Sequence, residues 1–151
     1  MTDVHDVATR SRNMAAIRGR DTRPEKLIRS ALHRRGFRFR LHSGIVPGRP
    51  DLVLTKYQAA IFVHGCFWHG HECRSFRWPT TRGAFWRGKI LGNRRRDKIV
   101  RKQVLLSGWR HLTVWECALR GGKADRIDKT AAHVARWLKA RSSTRLEIPG
   151  R

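Results

Sequence analysis

Acidic residues are scarce in this chain. Asp and Glu number 11 among 151 residues, against 34 Lys and Arg, which leaves a formal net charge of +23. Self-repulsion on that scale works against a compact state unless a polyanion is close by. Nucleic acid is the expected partner, because each phosphate that is neutralised releases a counterion. A basic ribosomal or chromatin-like protein has the same charge signature. Arginine supplies 26 of the basic residues, and its forked donors suit phosphates and guanine edges. Long apolar runs are also missing. The longest, Ala59 to Val63, is far too short to cross a bilayer. No charged-then-apolar segment opens the chain. Cysteines number only 3, an odd count that argues against a disulfide framework and for reduced thiols or metal ligands. A cytoplasmic monomer is expected.

What is present suffices for one domain with its own core. Residues 1–21 read as a basic arm, with Met14 and Ile17 three apart on one possible helical face. Residues 22–140 read as the folded domain, and 141–151 as a flexible basic tail that frays from Ser142. Thr22-Arg-Pro-Glu25 has the pattern of a capping box with Pro in the first turn. It opens a helix carrying Leu27, Ile28, Ala31 and Leu32 on one face, ending near Gly36. Phe37 to Leu41 alternates apolar and basic residues like a half-buried strand. The turn at Pro47–Pro50 leads to the short apolar run Leu52–Leu54. A bend at Lys56–Gln58 then makes a hairpin with Ala59–Val63. Helical spacing runs from Phe85 to Leu106, a further core strand from Trp109 to Glu116, and a last amphipathic helix carries Ile127, Ala131, Val134 and Leu138. The expected fold is one α/β domain, a short mixed sheet flanked by helices.

The loop between Gly65 and Gly83 holds the densest chemistry. Cys66, His71 and Cys73, closed by Cys117 just past the last core strand, make a four-ligand set suited to structural Zn²⁺. Buried free thiols with surface histidines are the plainer alternative. Phosphodiester cleavage needs a cation, carboxylates to hold it and a base for water. Mg²⁺ prefers oxygen ligands. Among the few acids, Asp51 begins a strand, Glu25 lies in the first turn of the first helix and Asp97 lies on the long helix. His69 is left over from the zinc set. Each has a second reading: Asp51 caps a turn, Glu25 completes the capping box, Asp97 pairs with a neighbouring Arg, and His69 is another ligand. Lys89 and Asn93, one turn apart, are placed to reach base edges or phosphates.

Four segments, Thr9-Arg-Ser-x-Asn-Met14-x-x-Ile17, Pro47-Gly-Arg-Pro-Asp51, His64-Gly-Cys-Phe-Trp-His69-x-His71 and Val114-Trp-Glu-Cys-Ala-Leu-Arg120, resemble in order and separation the signatures of the very short patch repair (Vsr) endonuclease family. The resemblance runs from about Asp3 to Arg120. It implies a restriction-endonuclease-like core and strand-specific nicking 5′ of the thymine in a T:G mismatch left by deamination of 5-methylcytosine. It implies Mg²⁺ on Asp51 and on the backbone carbonyl of Val63, and His69 as base or water organiser. Glu25 and Asp97 are implied as supporting groups, and Zn²⁺ on Cys66, His71, Cys73 and Cys117. Phe67, Trp68 and Trp86 would insert beside the mismatch from one groove, and Met14 and Ile17 from the other; a core role for Trp86 is the alternative. The resemblance further implies MutL and MutS as partners, with DNA polymerase and ligase completing the repair. Two rival readings are a restriction-type endonuclease on matched DNA and a zinc-stabilised DNA-binding protein without catalysis.

Overall fold

A computed structural model describes residues 21–149. The expected N-terminal arm, with Met14 and Ile17, lies outside the described residues except for Asp21. The first helix, α1 (Arg23–Arg34), starts where the sequence expects. Thr22 is its N-cap, and its hydroxyl accepts a hydrogen bond from the Glu25 N–H at 3.4 Å. The helix ends in a Schellman arrangement: Phe37 N–H donates to Leu32 O and Gly36 N–H to His33 O, with Gly36 at φ +91°.

The strands are β1 (Arg40–Leu41), β2 (Leu52–Leu54), β3 (Ala59–His64), β4 (Arg110–Trp115) and β5 (Arg145–Ile148). They form one sheet in the order β1-β2-β3-β4-β5. The β1–β2 and β2–β3 pairs are antiparallel, whereas β3–β4 and β4–β5 are parallel. A parallel neighbour requires a crossover. Between β3 and β4 it is made by the ligand-rich loop and the long helix α2 (Gly83–Leu106), and between β4 and β5 by α3 (Ala124–Ala140).

Alternation along the strands sends side chains to two cores. Leu52, Leu54, Ile61, Leu112 and Val114 face α1 and α3, meeting Ile28, Leu32, Val134 and Leu138. Val53, Ala60 and Phe62 face the other way, toward Val104 of α2. Each Val, Leu, Ile or Phe among them contributes roughly 1.5–3 kcal/mol on full burial, so the sheet is clamped from both sides.

Two expectations are corrected. The alternating run Phe37–Leu41 yields only a two-residue strand, because Phe37 is spent closing the helix cap beneath the core and Leu41 is exposed. The tail does not fray from Ser142. Arg145–Ile148 adds a fifth strand in register with His111–Val114, and Ile148 joins the main core. Buried Arg110 ties this end down, donating to Leu138 O, Trp137 O and Ser143 O. Of these, Leu138 O lies in the last turn of α3, where carbonyls lack partners within the helix.

Candidate active site and metal centre

The inward stripe of α2 reads Trp86, Ile90, Asn93, Asp97, Val100, Val104. It is apolar at both ends and polar in the middle, and the middle faces a cavity of ≈ 220 Å³. Asp51, Phe62, Val63, His64, His69 and His111 complete most of the lining, with the Gly48–Arg49 turn at the rim. Gly48 is required there: at φ +82°, a Cβ would collide with Val100 of α2.

Asp51 stands one residue before β2, just past the last β2–β3 pair, Leu52↔Ile61. Its Oδ2 accepts from the Val63 N–H at 2.6 Å. Burial pushes its carboxyl up to about 8; the Val63 hydrogen bond opposes this and the nearby Glu25 charge adds to it. A carboxylate so disfavoured is one that a cation would relieve. Glu25 is 1 % exposed, and it forms only half of the expected capping box. Its carboxylate accepts from the Asp21 N–H at 3.0 Å and from Arg29 at 2.9 Å, rather than returning to Thr22. It thus turns toward the site, where His42 Nε2 lies 3.1 Å away. His42 Nδ1 in turn lies 3.8 Å from Asp51 Oδ1. No pattern in the sequence singled out His42, which sits in an irregular turn at φ +50°.

On the other side of the cavity, His69 Nδ1 meets Asp97 Oδ2 at 2.6 Å. Asp97 therefore pairs with His69 rather than with the arginines that flank it in sequence. The His69 ring stacks on His64 at 3.8 Å, nearly parallel. Burial holds His64 well below the usual histidine range, and His69 and His111 add to this. Asn93 Nδ2 donates to the Trp68 carbonyl at 2.8 Å, while its Oδ1 faces Arg96 at 3.4 Å. In this state Asn93 holds the aromatic loop, and Lys89, one turn earlier, is exposed. Helix α2 carries eight Lys and Arg residues and a single acid, Asp97.

The ligand loop folds back on the sheet end. Cys66, His71, Cys73 and Cys117 offer ligand atoms that all lie within 4.8 Å of one another, so the set expected from sequence is brought together. The parallel register explains this. His64↔Trp115 is the last β3–β4 pair, and Cys66 and Cys117 each follow it by two residues. Burial pushes the Cys66 thiol up, and the neighbouring thiols reinforce that. At Cys73 burial also pushes up, but hydrogen bonding from Arg120, 3.6 Å away, and from the Ser75 backbone outweighs it and lowers the thiol. Beside this cluster, Phe67 meets Trp68 and Trp86 edge to face at 5.4 Å each, and Trp68 meets Trp86 at 5.7 Å. Phe67 and Trp68 are half-buried; Trp86 is covered by its aromatic neighbours.

A buried carboxylate at a strand end, a histidine backed by an aspartate and a strongly basic helix share one cavity in a mixed α/β fold. Those are the groups that cleavage of a polyanionic phosphodiester calls for. The family described as DNA mismatch endonuclease Vsr matches residues 2–75. The chain is 49 % identical over 140 residues to the DNA mismatch endonuclease Vsr of Escherichia coli, covering 91 % of this chain and 88 % of that one. It is 45 % identical over 119 residues to the type II nicking enzyme V.XorIIP of Xanthomonas oryzae pv. oryzae (79 % and 88 % covered). To the type II nicking enzyme V.NmeAIP of Neisseria meningitidis it is 39 % identical over 120 residues (80 % and 86 %). The chain belongs to the Vsr family of DNA mismatch endonucleases.

Proposed function

We propose that the protein nicks one strand of duplex DNA 5′ of the thymine in a T:G mismatch, the product of 5-methylcytosine deamination, and so begins very short patch repair. Membership of the Vsr family supports this reading. The single observation that carries it is the convergence of Asp51 and the His69–Asp97 pair on one cavity beside α2. The restriction-endonuclease-like core belongs to the same reading.

Mg²⁺ fits the Asp51 side of the cavity, since burial of that carboxyl is relieved by a cation. Asp51 and the backbone carbonyl of Val63 would hold it, and when bound it would polarise the scissile phosphate. Glu25, held by Arg29 and facing His42, would support its water shell. Asp97 would accept a hydrogen bond from the Nδ1–H of His69, leaving the Nε2 lone pair to take a proton from the attacking water. Zn²⁺ fits the three thiols and His71. Cys117 Sγ lies 3.6 Å from His71 Nδ1, close to the edge of roughly 3.6 Å that a tetrahedron with ordinary Zn–S and Zn–N bonds has. A closed four-ligand shell makes that metal structural.

A T:G wobble stacks poorly, so opening it costs less than opening a matched step, and aromatic wedges can exploit the difference. Phe67, Trp68 and Trp86 would supply those wedges, the covered Trp86 becoming available as the cluster parts on DNA. Asn93 would exchange the Trp68 carbonyl for a base edge, with Lys89 beside it. Met14 and Ile17 would act from the opposite groove. MutL and MutS are proposed partners of a monomeric bacterial enzyme acting at the nucleoid, with polymerase and ligase following. No helix among the described residues is long and apolar enough to cross a membrane.

The test is nicking of end-labelled duplexes with a central T:G or T:A pair, with Mg²⁺ or EDTA, beside Asp51→Ala. A single Mg²⁺-dependent nick on the T strand of the mismatch, lost in the variant, is expected. Equal cutting of both duplexes would instead establish a restriction-type enzyme. Tight binding without cutting in any mismatch context would establish a binding protein.

A further inference from the structure

Trp115, the last residue of β4, stands between the two centres. One face of its indole lies parallel to the ring of His71, with centroids 4.3 Å apart and 11° between planes. His64 and His69 meet it at steep angles, at 5.3 and 6.3 Å. A single ring therefore sets the plane of a metal-cluster histidine and walls the histidine pair of the cavity. The indole N–H can only donate, and burying it without a partner would be costly. Its partner is Glu147 Oε1 at 3.2 Å. Glu147 lies on β5, in register with Thr113 of β4. Its other carboxylate oxygen meets Arg145 at 3.4 Å.

The geometry points to Glu147 as a positioning residue for the reaction: by fixing the Trp115 indole it holds His71 against the thiols and His69 against the cavity. The terminal strand is thus part of the active-site scaffold, although it touches neither centre through a ligand or a base. Without the acceptor, the indole can turn to seek water. His71 then loses its stacking partner and the His64–His69 pair loses a wall. The effect is on placement, so it appears in the chemical step and in metal retention rather than in the grip on DNA. This inference rests on the catalytic role proposed for His69.

Three variants test it: Glu147→Ala removes the acceptor, Glu147→Gln keeps one acceptor oxygen without the charge, and Arg145→Ala removes only the outer ion pair. Three quantities are read: the single-turnover nicking rate on the T:G duplex, the Kd for the same duplex, and zinc release to a chromogenic chelator. Glu147→Ala should nick about tenfold more slowly, with Kd within about twofold and faster zinc release. Glu147→Gln should recover most of both losses, and Arg145→Ala should match the wild type. Wild-type rate and zinc release in Glu147→Ala overturn the inference. So does a Glu147→Gln as impaired as Glu147→Ala, or a parallel loss of rate, affinity and Tm. If Glu147→Ala does not fold, Trp115→Phe reads the same link, because it keeps a ring on His71 but has no N–H. A slower nick at unchanged Kd supports the inference and a wild-type rate overturns it. His69→Ala run alongside separates the two readings. If it nicks like the wild type while Glu147→Ala still hastens zinc release, the catalytic role of His69 fails and the hold of Glu147 on the zinc loop stands.

Discussion

Asp97 Oδ2 sits 2.6 Å from His69 Nδ1, across the gap between the long helix and the loop that follows β3. A carboxylate this close fixes which ring nitrogen carries the proton and leaves the other with its lone pair. Asp97→Asn keeps the shape but can present its NH₂ to Nδ1 and reverse the tautomer. Single-turnover nicking should fall on the order of 100-fold, with duplex affinity unchanged.

Asp51→Asn should abolish nicking yet make the metal-free protein more stable. A buried carboxyl raised from 3.8 to about 8 costs the fold stability that grows as pH climbs past 3.8 and levels off only above about 8. Asn carries no such cost and can still accept the Val63 N–H. In EDTA at pH 7.5, a rise in Tm on the order of 5 °C is expected, read by calorimetry. An unchanged or lower Tm would count against this account of the site.

These groups show what a sequence displays and what it conceals. The gathering of Cys66, His71, Cys73 and Cys117, the place of Asp51 at a strand end and the stripe on α2 are legible because strand ends, turns and helical period fix positions locally. His42 is not, since only the turn at φ +50° aims it between Glu25 and Asp51. Strand β5 was missed for a related reason. Its four-residue alternation is short, and its pairing partner, β4, lies more than thirty residues earlier in the chain. The opposite error occurred at Phe37–Leu41, where a strand-like alternation was overridden by the demands of a helix cap.

His111 makes stability sensitive to acid. It is buried, stacked on Phe62 at 4.9 Å, and its Nδ1 has no hydrogen-bond partner among the described residues. Burial pushes it down from 6.5 to about 4, with Arg101 and Arg145 adding. A histidine held neutral in this way contributes stability that is complete above pH 6.5 and lost as pH falls toward 4, up to about 3 kcal/mol. His64 faces the same region and adds its own share. The Tm difference between His111→Val and the wild type should therefore grow in favour of the variant from pH 7 to pH 5. A constant difference would show that His111 is not the sensor.

Native mass spectrometry should find one zinc per chain. Cys66→Ser should lose it, and Tm should drop on the order of 10 °C, because the loop that carries the aromatic cluster has little core of its own.

The parallel pairing of β3 with β4 carries a consequence for folding fidelity. His64 pairs with Trp115, and the first and last cysteines follow at equal distances. A slip of one residue between these strands would point alternate side chains to the wrong faces. It would separate Cys66 from Cys117 and at the same time turn Phe62 and His64 out of the cavity. Misregistered chains would thus lose the Cys/His cluster and the cavity together, so the assembly of one reports the assembly of the other.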